Sequence, residues 1–166
     1  MEGYWGRIPE PQRVSTLRLA WQDLWTKISR YLSREDVIAV GEAFVFAAES
    51  HGNQVRYSGE PYVVHTVSVA AILAGMEIDR ETIIASLLHD VLEDTPVTTE
   101  ELRDKFGQRV VTLVDGVTKL GKLPFKNVVD YQAENLRKMF LVMAKDIRVI
   151  LIKLADRLHN MSTIQA

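Results

Sequence analysis

The sequence contains no cysteine. Disulfide bonds, thiolate catalysis and cysteine-ligated zinc sites are therefore excluded. An excess of positive charge is also missing, because 20 lysine and arginine residues face 22 acidic residues and the net charge is −2. This balance argues against general nucleic-acid binding, and we expect no nucleic-acid partner. An anionic substrate would need a local positive group or a bound metal ion.

Long apolar runs are absent as well. None approaches the roughly 20 residues of a membrane-spanning helix, and Met1 to Gln12 lacks the apolar centre of a secretory signal. The longest apolar-rich segment, Ile147–Leu158, is interrupted by four charged residues. We therefore expect no membrane association and a cytoplasmic location, with which the lack of cysteine agrees.

The composition and the apolar spacing instead predict one helical globular domain. The chain has 166 residues, of which 47% are hydrophobic and 25% charged, as is ordinary for a soluble domain with a sizeable core. Apolar residues recur with helical period in nearly every segment, and no segment alternates long enough to require a strand. The predicted fold class is all-α.

Capping residues and helix breakers predict where the helices begin and end. Ser33, Asp79 and Thr98 are expected N-caps, Pro61 is expected in a first helical turn, and Gly107 is expected to end a helix. The predicted helices cover residues 15–32, 33–52, 61–75, 79–95, 98–107, 108–118, 127–144 and 146–164, with loops at 53–60 and 119–126.

The first candidate site lies on the predicted helix 79–95. One arc of about 140° on this helix carries four polar side chains whose i,i+3 and i,i+4 spacing lets them converge: His89, Asp90, Glu93 and Asp94. The rest of the helix is apolar, so burying these groups would cost several kcal/mol without a cation or hydrogen bonds. An adjacent His-Asp pair can give one nitrogen and one oxygen ligand to a divalent ion. The alternative is a solvated acidic patch, although the dipole at a helix C-terminus disfavours acidic groups.

The second candidate site lies on the predicted helix 146–164, which is so apolar that we expect it to be central. Asp156 lies away from its apolar stripe, which consists of Ile147, Ile150, Leu151, Leu154, Leu158 and Met161. Lys153 precedes Asp156 by one turn, and Asn160 and Thr163 follow it on the same face. Such a polar stripe is expected where a buried helix borders a polar cavity. The alternative is that Asp156 forms a structural salt bridge.

The three remaining histidines divide into one candidate ligand and two residues with other expected roles. His65 lies on the helix opened by Pro61 and could be a further ligand, although a lone histidine on an apolar helix is usually a core residue. His51 precedes Gly52 and is expected at the surface. His159 is expected to be structural.

The order of His65, His89-Asp90 and Asp156 resembles the signature of HD phosphohydrolases. Residues 56–65, Arg-Tyr-Ser-Gly-Glu-Pro-Tyr-Val-Val-His, resemble the R-x-S-G-E-P-Y-x-x-H loop of the RelA/SpoT homologue family. Residues 88–95 resemble its L-H-D-x-x-E-D-T motif, and residues 115–120 and 154–161 match two further family blocks. The resemblance spans about residues 30–166.

This resemblance implies an HD-domain helical bundle with the metal site between helices. The implied ligands of a manganese ion are His65, His89, Asp90 and Asp156. The implied catalytic residues, which handle the water and the proton transfers, are Glu93 and Asp94. The implied nucleotide-binding residues are Arg56, which stacks on the guanine, Ser58 and Asn160, which hold the nucleoside, Tyr57 in the same loop, and Thr163 nearby.

Two residues depart from the family pattern. Tyr57 stands where the family usually has lysine, which removes a positive charge near the phosphates, and Thr66 stands where it usually has proline. Neither change touches an implied metal ligand. Family members that have lost hydrolysis lack the His-Asp pair, which is intact here.

The function implied is metal-dependent hydrolysis of the 3′-diphosphate of ppGpp and pppGpp to GDP or GTP and pyrophosphate, which degrades the alarmone of the stringent response. The alternatives are another HD-type nucleotide phosphohydrolase and a regulatory module that binds nucleotide without turnover.

The expected domain organisation is an N-terminal extension with one amphipathic helix at residues 1–30, followed by the hydrolase domain at residues 31–166. No glycine or proline stops the last helix before Ala166. We therefore expect a fragment of a longer protein, in which synthetase and regulatory domains could follow. A natural C-terminus that frays is the alternative.

Overall fold

The computed structural model describes residues 1–121, 136–137, 141 and 145–163. All regular elements in these ranges are helical, which confirms the predicted all-α class. In chain order they are α1 (Glu2–Trp5), a 3-10 helix (Glu10–Gln12), α2 (Ser15–Ile28), α3 (Arg34–His51), α4 (Tyr62–Ala74), α5 (Arg80–Leu88), α6 (Val91–Asp94), α7 (Thr99–Phe106), α8 (Gln108–Gly121) and α9 (Ile147–Ser162).

The predicted caps are confirmed. The side chains of Ser33, Asp79 and Thr98 each accept a hydrogen bond from the amide three residues further along, at the starts of α3, α5 and α7. Gly107 ends α7 with φ +86°, a conformation that glycine adopts without steric cost. Local sequence signals therefore determine where these helices begin and end.

Helices α4 and α5 form the centre of the bundle. Helix α4 packs against α2, α5 and α9, while α5 also contacts α3 and α8. Helix α2 joins the same core through Trp21, whose ring stacks on Phe44 at 4.1 Å between centroids. The buried Gln12 side chain donates to the carbonyl of Ala48, at 2.8 Å, and to that of Gly52. Residues before position 30 thus pack on the helices that carry the candidate site.

Two predicted boundaries are wrong. The helix expected at 79–95 is interrupted at His89 and Asp90, and the loop expected at 119–126 begins later because α8 continues to Gly121. An i,i+4 ion pair between Lys119 and Asp115, at 2.6 Å, supports this last turn of α8. The helix predicted at 127–144 and the remainder of the 119–126 loop lie outside the described residues, apart from 136–137 and 141.

The apolar stripe predicted for α9 is also wrong as a description of its buried face. Four of its six residues are between 54% and 71% exposed: Ile147, Leu154, Leu158 and Met161. The buried face is instead formed by Val149, Ile150, Ile152, Ala155 and Asp156. Because apolar residues surround most of this helix, their spacing alone does not show which arc faces α4 and α8. Among the described helices, none is long and apolar enough to cross a membrane.

Candidate metal centre and adjoining cavity

The His-Asp pair occupies the turn between α5 and α6. His89 is the C-cap residue of α5, and Asp90 precedes α6 with φ −98° and ψ −7°. This ψ is well removed from the helical value of about −42°, so the helix is interrupted here. The interruption turns the two side chains toward α4 and α9, which carry the other predicted ligands.

The structure brings the four predicted ligands together. The Nε2 atom of His65 lies 3.2 Å from Asp156 Oδ1 and 3.9 Å from Asp90 Oδ2, and His89 Nε2 lies 3.1 Å from Asp90 Oδ2. One ligand atom from each of His65, His89 and Asp156 lies within 4.8 Å of the others, and these three residues are buried. Helices α4 and α9 and the turn after α5 therefore converge on one point.

The orientation of His89 fits a metal ion. Its Nδ1 lies 2.7 Å from the carbonyl oxygen of Ser86, which can only accept a hydrogen bond. The ring therefore carries a proton on Nδ1, and in its neutral form, the one that binds a metal ion, it has a lone pair on Nε2. That Nε2 is buried and has no partner in hydrogen-bonding geometry among the described residues. A buried imidazole nitrogen aimed at two carboxylates is a suitable ligand for a divalent cation.

The two carboxylates are held in the charged form. Burial raises the pKa of Asp90, but His89, Tyr62 and His65 outweigh it and lower this pKa to about 2. Burial likewise raises the pKa of Asp156, but His65 and Lys153 bring it below its usual range. Asp156 accepts from Lys153 Nζ at 2.8 Å and from Asn160 Nδ2 at 2.7 Å. Both groups can therefore serve as anionic ligands.

Glu93 and Asp94, the predicted catalytic residues, lie on α6 next to this cluster. Both are exposed. The backbone carbonyl of Asp94 accepts a hydrogen bond from the side chain of Gln54, which connects α6 to the loop before α4. The catalytic roles of Glu93 and Asp94 stay predictions.

Three side chains at the site were given other roles or no role by sequence. His51 is buried rather than at the surface, because its ring stacks on Tyr62 at 4.7 Å. Tyr62 donates to Asp90 Oδ2 at 2.9 Å. His159, which was expected to be structural, has its Nδ1 at 2.8 Å from Nδ1 of the candidate ligand His65. Tyr62 precedes His65, and His159 follows Asp156, by three residues, so helical spacing could have indicated both.

A cavity of about 660 Å³ is lined in part by Asn160, which donates a hydrogen bond to the candidate ligand Asp156. The five predicted nucleotide-binding residues are among its lining: Arg56, Tyr57, Ser58, Asn160 and Thr163, together with Glu60 and Ser162. Arg56 donates to the Asn160 side chain, and Asn160 in turn donates to Asp156. Tyr57 is fully exposed at the rim, and Thr163 Oγ1 donates to backbone carbonyls of its own helix. The cavity and the cluster are thus connected through shared hydrogen bonds.

Comparison with known proteins identifies the family to which this arrangement of helices belongs. The family model described as HD domain matches residues 43–166, a range that includes the four predicted metal ligands. The chain therefore belongs to the HD domain family.

Within that family, the resemblance to the RelA/SpoT homologues is confirmed. The chain is 52% identical over 137 residues to the bifunctional (p)ppGpp synthase/hydrolase SpoT of Escherichia coli K12, covering 82% of this chain and 20% of that protein. It is 50% identical over 143 residues to the guanosine-3′,5′-bis(diphosphate) 3′-pyrophosphohydrolase of Aquifex aeolicus, covering 86% of this chain and 20% of that protein. The chain thus spans about a fifth of the length of these curated relatives.

A solved structure shows the same fold. It is the structure of a metazoan ortholog of SpoT that hydrolyzes ppGpp, and it superposes with a TM-score of 0.60 at 35% sequence identity. The match covers 75% of this chain and 68% of that one.

Proposed function

We propose that this chain hydrolyses the 3′-diphosphate of ppGpp and pppGpp, giving GDP or GTP and pyrophosphate, and so degrades the stringent-response alarmone. The observation that carries the proposal is the pair of hydrogen bonds, from Arg56 to Asn160 and from Asn160 to Asp156, that links the cavity lining to the His/Asp cluster. The Escherichia coli and Aquifex relatives, about 50% identical to this chain, are named as a (p)ppGpp synthase/hydrolase and a guanosine-3′,5′-bis(diphosphate) 3′-pyrophosphohydrolase, and these names support ppGpp as the substrate.

We assign the metal centre to His65, His89, Asp90 and Asp156, and we propose manganese as its ion. Imidazole and carboxylate ligands suit this ion, although other divalent metals accept the same set. When bound, a divalent ion lowers the pKa of a coordinated water and neutralises charge on the attacked phosphate. The ligands fit because His89 presents a buried Nε2 lone pair beside two ionised carboxylates.

Side chains of this chain transfer the protons and bind the nucleotide. Glu93 and Asp94 orient the attacking water and move its proton, since they lie on α6 directly after the His-Asp turn. Arg56, held by Asn160, offers a guanidinium face to the guanine ring. Ser58 and Asn160 provide polar contacts for the nucleoside, with Thr163 nearby.

A panel of nucleotides distinguishes ppGpp hydrolysis from the hydrolysis of a different nucleotide by an HD-type enzyme. The manganese-loaded protein is incubated separately with ppGpp, pppGpp, GTP and deoxynucleoside triphosphates, and the products are separated by ion-exchange chromatography. We expect turnover of ppGpp and pppGpp alone, with release of pyrophosphate. Preferred turnover of another nucleotide would replace the proposed substrate, and tight ppGpp binding without product would indicate a regulatory module.

The Escherichia coli relative is named as a bifunctional synthase/hydrolase and is about five times longer than the matched region. We propose that this domain works beside synthetase and regulatory domains, in the cytoplasm.

A further inference from the structure

The first residue of α4, Tyr62, connects the metal centre to the loop that precedes it. We propose that Tyr62 is a positioning residue that holds the Asp90 carboxylate in the orientation needed for metal binding. The proposal rests on the proposed metal centre but does not depend on the identity of the nucleotide.

Asp90 needs an external partner to fix its side chain. It precedes α6 at the N-cap position, yet its carboxylate makes no capping hydrogen bond. The phenol of Tyr62 donates to Oδ2 at 2.9 Å, and the same Oδ2 faces Nε2 of His89 at 3.1 Å and Nε2 of His65 at 3.9 Å. Because the hydroxyl occupies one lone-pair direction of Oδ2, it restricts rotation of the carboxylate and leaves the other directions toward the cluster.

Tyr62 is itself held by its neighbours. Its ring stacks on the buried imidazole of His51, with an interplanar angle of 27°, and meets the ring of His65 edge-on at 6.0 Å. Its amide donates to the Gln54 carbonyl at 2.9 Å. The Gln54 side-chain oxygen lies 2.8 Å from His51 Nδ1. We call His51, Gln54 and Tyr62 the clamp, since each of them contacts the other two.

The clamp also reaches the proposed catalytic segment. The Gln54 side-chain amide donates to the backbone carbonyl of Asp94, in the last turn of α6. One end of the clamp therefore holds the ligand Asp90 and the other holds the helix that carries Glu93 and Asp94. This arrangement has the form of the outer-shell hydrogen bonds that orient ligands around protein-bound metals.

The test removes one hydroxyl. Tyr62→Phe keeps the ring and its stacking but loses the hydrogen bond to Asp90. Binding of Mn²⁺ to the metal-free protein, measured by isothermal titration calorimetry without nucleotide, is expected to weaken by about 10–100-fold, the usual effect of losing an outer-shell partner. The matched control is Tyr31→Phe, which loses a hydroxyl hydrogen bond of similar length, 2.8 Å to the Ile78 carbonyl, away from the site. The control should bind Mn²⁺ as the parent does.

A second variant keeps the proposal testable if Tyr62→Phe does not fold. Gln54→Met, at an exposed position, removes the side-chain hydrogen bonds to His51 and to the Asp94 carbonyl without touching the phenol, and it should weaken Mn²⁺ binding severalfold. Thermal melts of the metal-free variants show which of them fold. Parental Mn²⁺ affinity in the folded variants, or equal weakening in Tyr31→Phe, would overturn the proposal. If the parent binds Mn²⁺ but does not cleave ppGpp, the proposed function fails while the metal comparison still decides the role of Tyr62.

Discussion

Replacing Asp156 with asparagine separates the metal-binding role of this side chain from its structural one. The carboxylate accepts hydrogen bonds from Lys153 and Asn160 and lies 3.2 Å from His65. Asparagine keeps the volume and one acceptor oxygen, so one charge-assisted hydrogen bond is lost, at a cost of about 1.5–3 kcal/mol. Because the Lys153 side chain is 23% exposed, we expect the lower end of this range, which lowers the melting temperature of the metal-free protein by about 3–6 °C.

The effect on metal binding should be much larger. Asp156→Asn removes an anionic ligand, so Mn²⁺ affinity should fall by more than the about 10–100-fold expected for an outer-shell partner. Differential scanning calorimetry measures the stability, and titration calorimetry measures the affinity. The matched control is Asp23→Asn, which breaks an exposed i,i+4 pair with Lys27 and should cost less than about 1 kcal/mol. Parental Mn²⁺ affinity in Asp156→Asn would refute the assignment of this ligand.

Further predictions concern catalysis, nucleotide binding and pH. Glu93→Gln should slow pyrophosphate release by about 10²–10⁴-fold, the usual contribution of a general acid–base group, with metal content unchanged by mass spectrometry. Arg56→Ala should weaken guanine-nucleotide binding in titration calorimetry, with a smaller effect on metal occupancy. Tyr57→Lys should lower KM for ppGpp by adding positive charge near the phosphates. Burial lowers the pKa of His51, so the stability contributed by its neutral ring is complete above pH about 6.5 and is lost as the pH falls toward the lowered pKa. His51→Gln should therefore reduce the pH dependence of the free energy of unfolding in this range, as measured by urea denaturation.

Several outcomes would contradict these assignments. Parental hydrolysis by Glu93→Gln would show that another group handles the proton. Loss of metal from Arg56→Ala comparable to its loss of nucleotide would place Arg56 in the metal centre. An unchanged KM in Tyr57→Lys would show that position 57 does not contact the phosphates. An unchanged pH profile in His51→Gln would mean that other groups set the acid sensitivity.

Local signals predicted much of the helical framework. Ser33, Asp79 and Thr98 cap helices because a short polar side chain satisfies an amide that the helix leaves open. Such interactions span a few residues and can be seen in sequence. Three of the predicted metal ligands, His65, His89 and Asp156, also converge, and Asp90 contacts two of them, because their motifs place each one at a fixed point of a helix or turn.

What sequence did not predict depends on contacts between distant segments. His51 was expected at the surface, yet the ring of Tyr62 covers it, and no local pattern reports that contact. The exposed stripe of α9 is a second example. The helical period shows which residues share a face, but it does not show which neighbouring helices pack on that face. The interruption at Asp90 arises from a backbone conformation that an uninterrupted apolar period conceals.

The most direct test of the central claim is to follow ppGpp hydrolysis by ³¹P nuclear magnetic resonance with the manganese-loaded parent. We predict that the 3′-diphosphate signals disappear while those of GDP and pyrophosphate grow in equal amounts, and that His89→Ala abolishes this conversion. Release of orthophosphate, loss of the 5′-diphosphate, or an unchanged spectrum with metal demonstrably bound would contradict the assignment of this site to 3′-pyrophosphate hydrolysis.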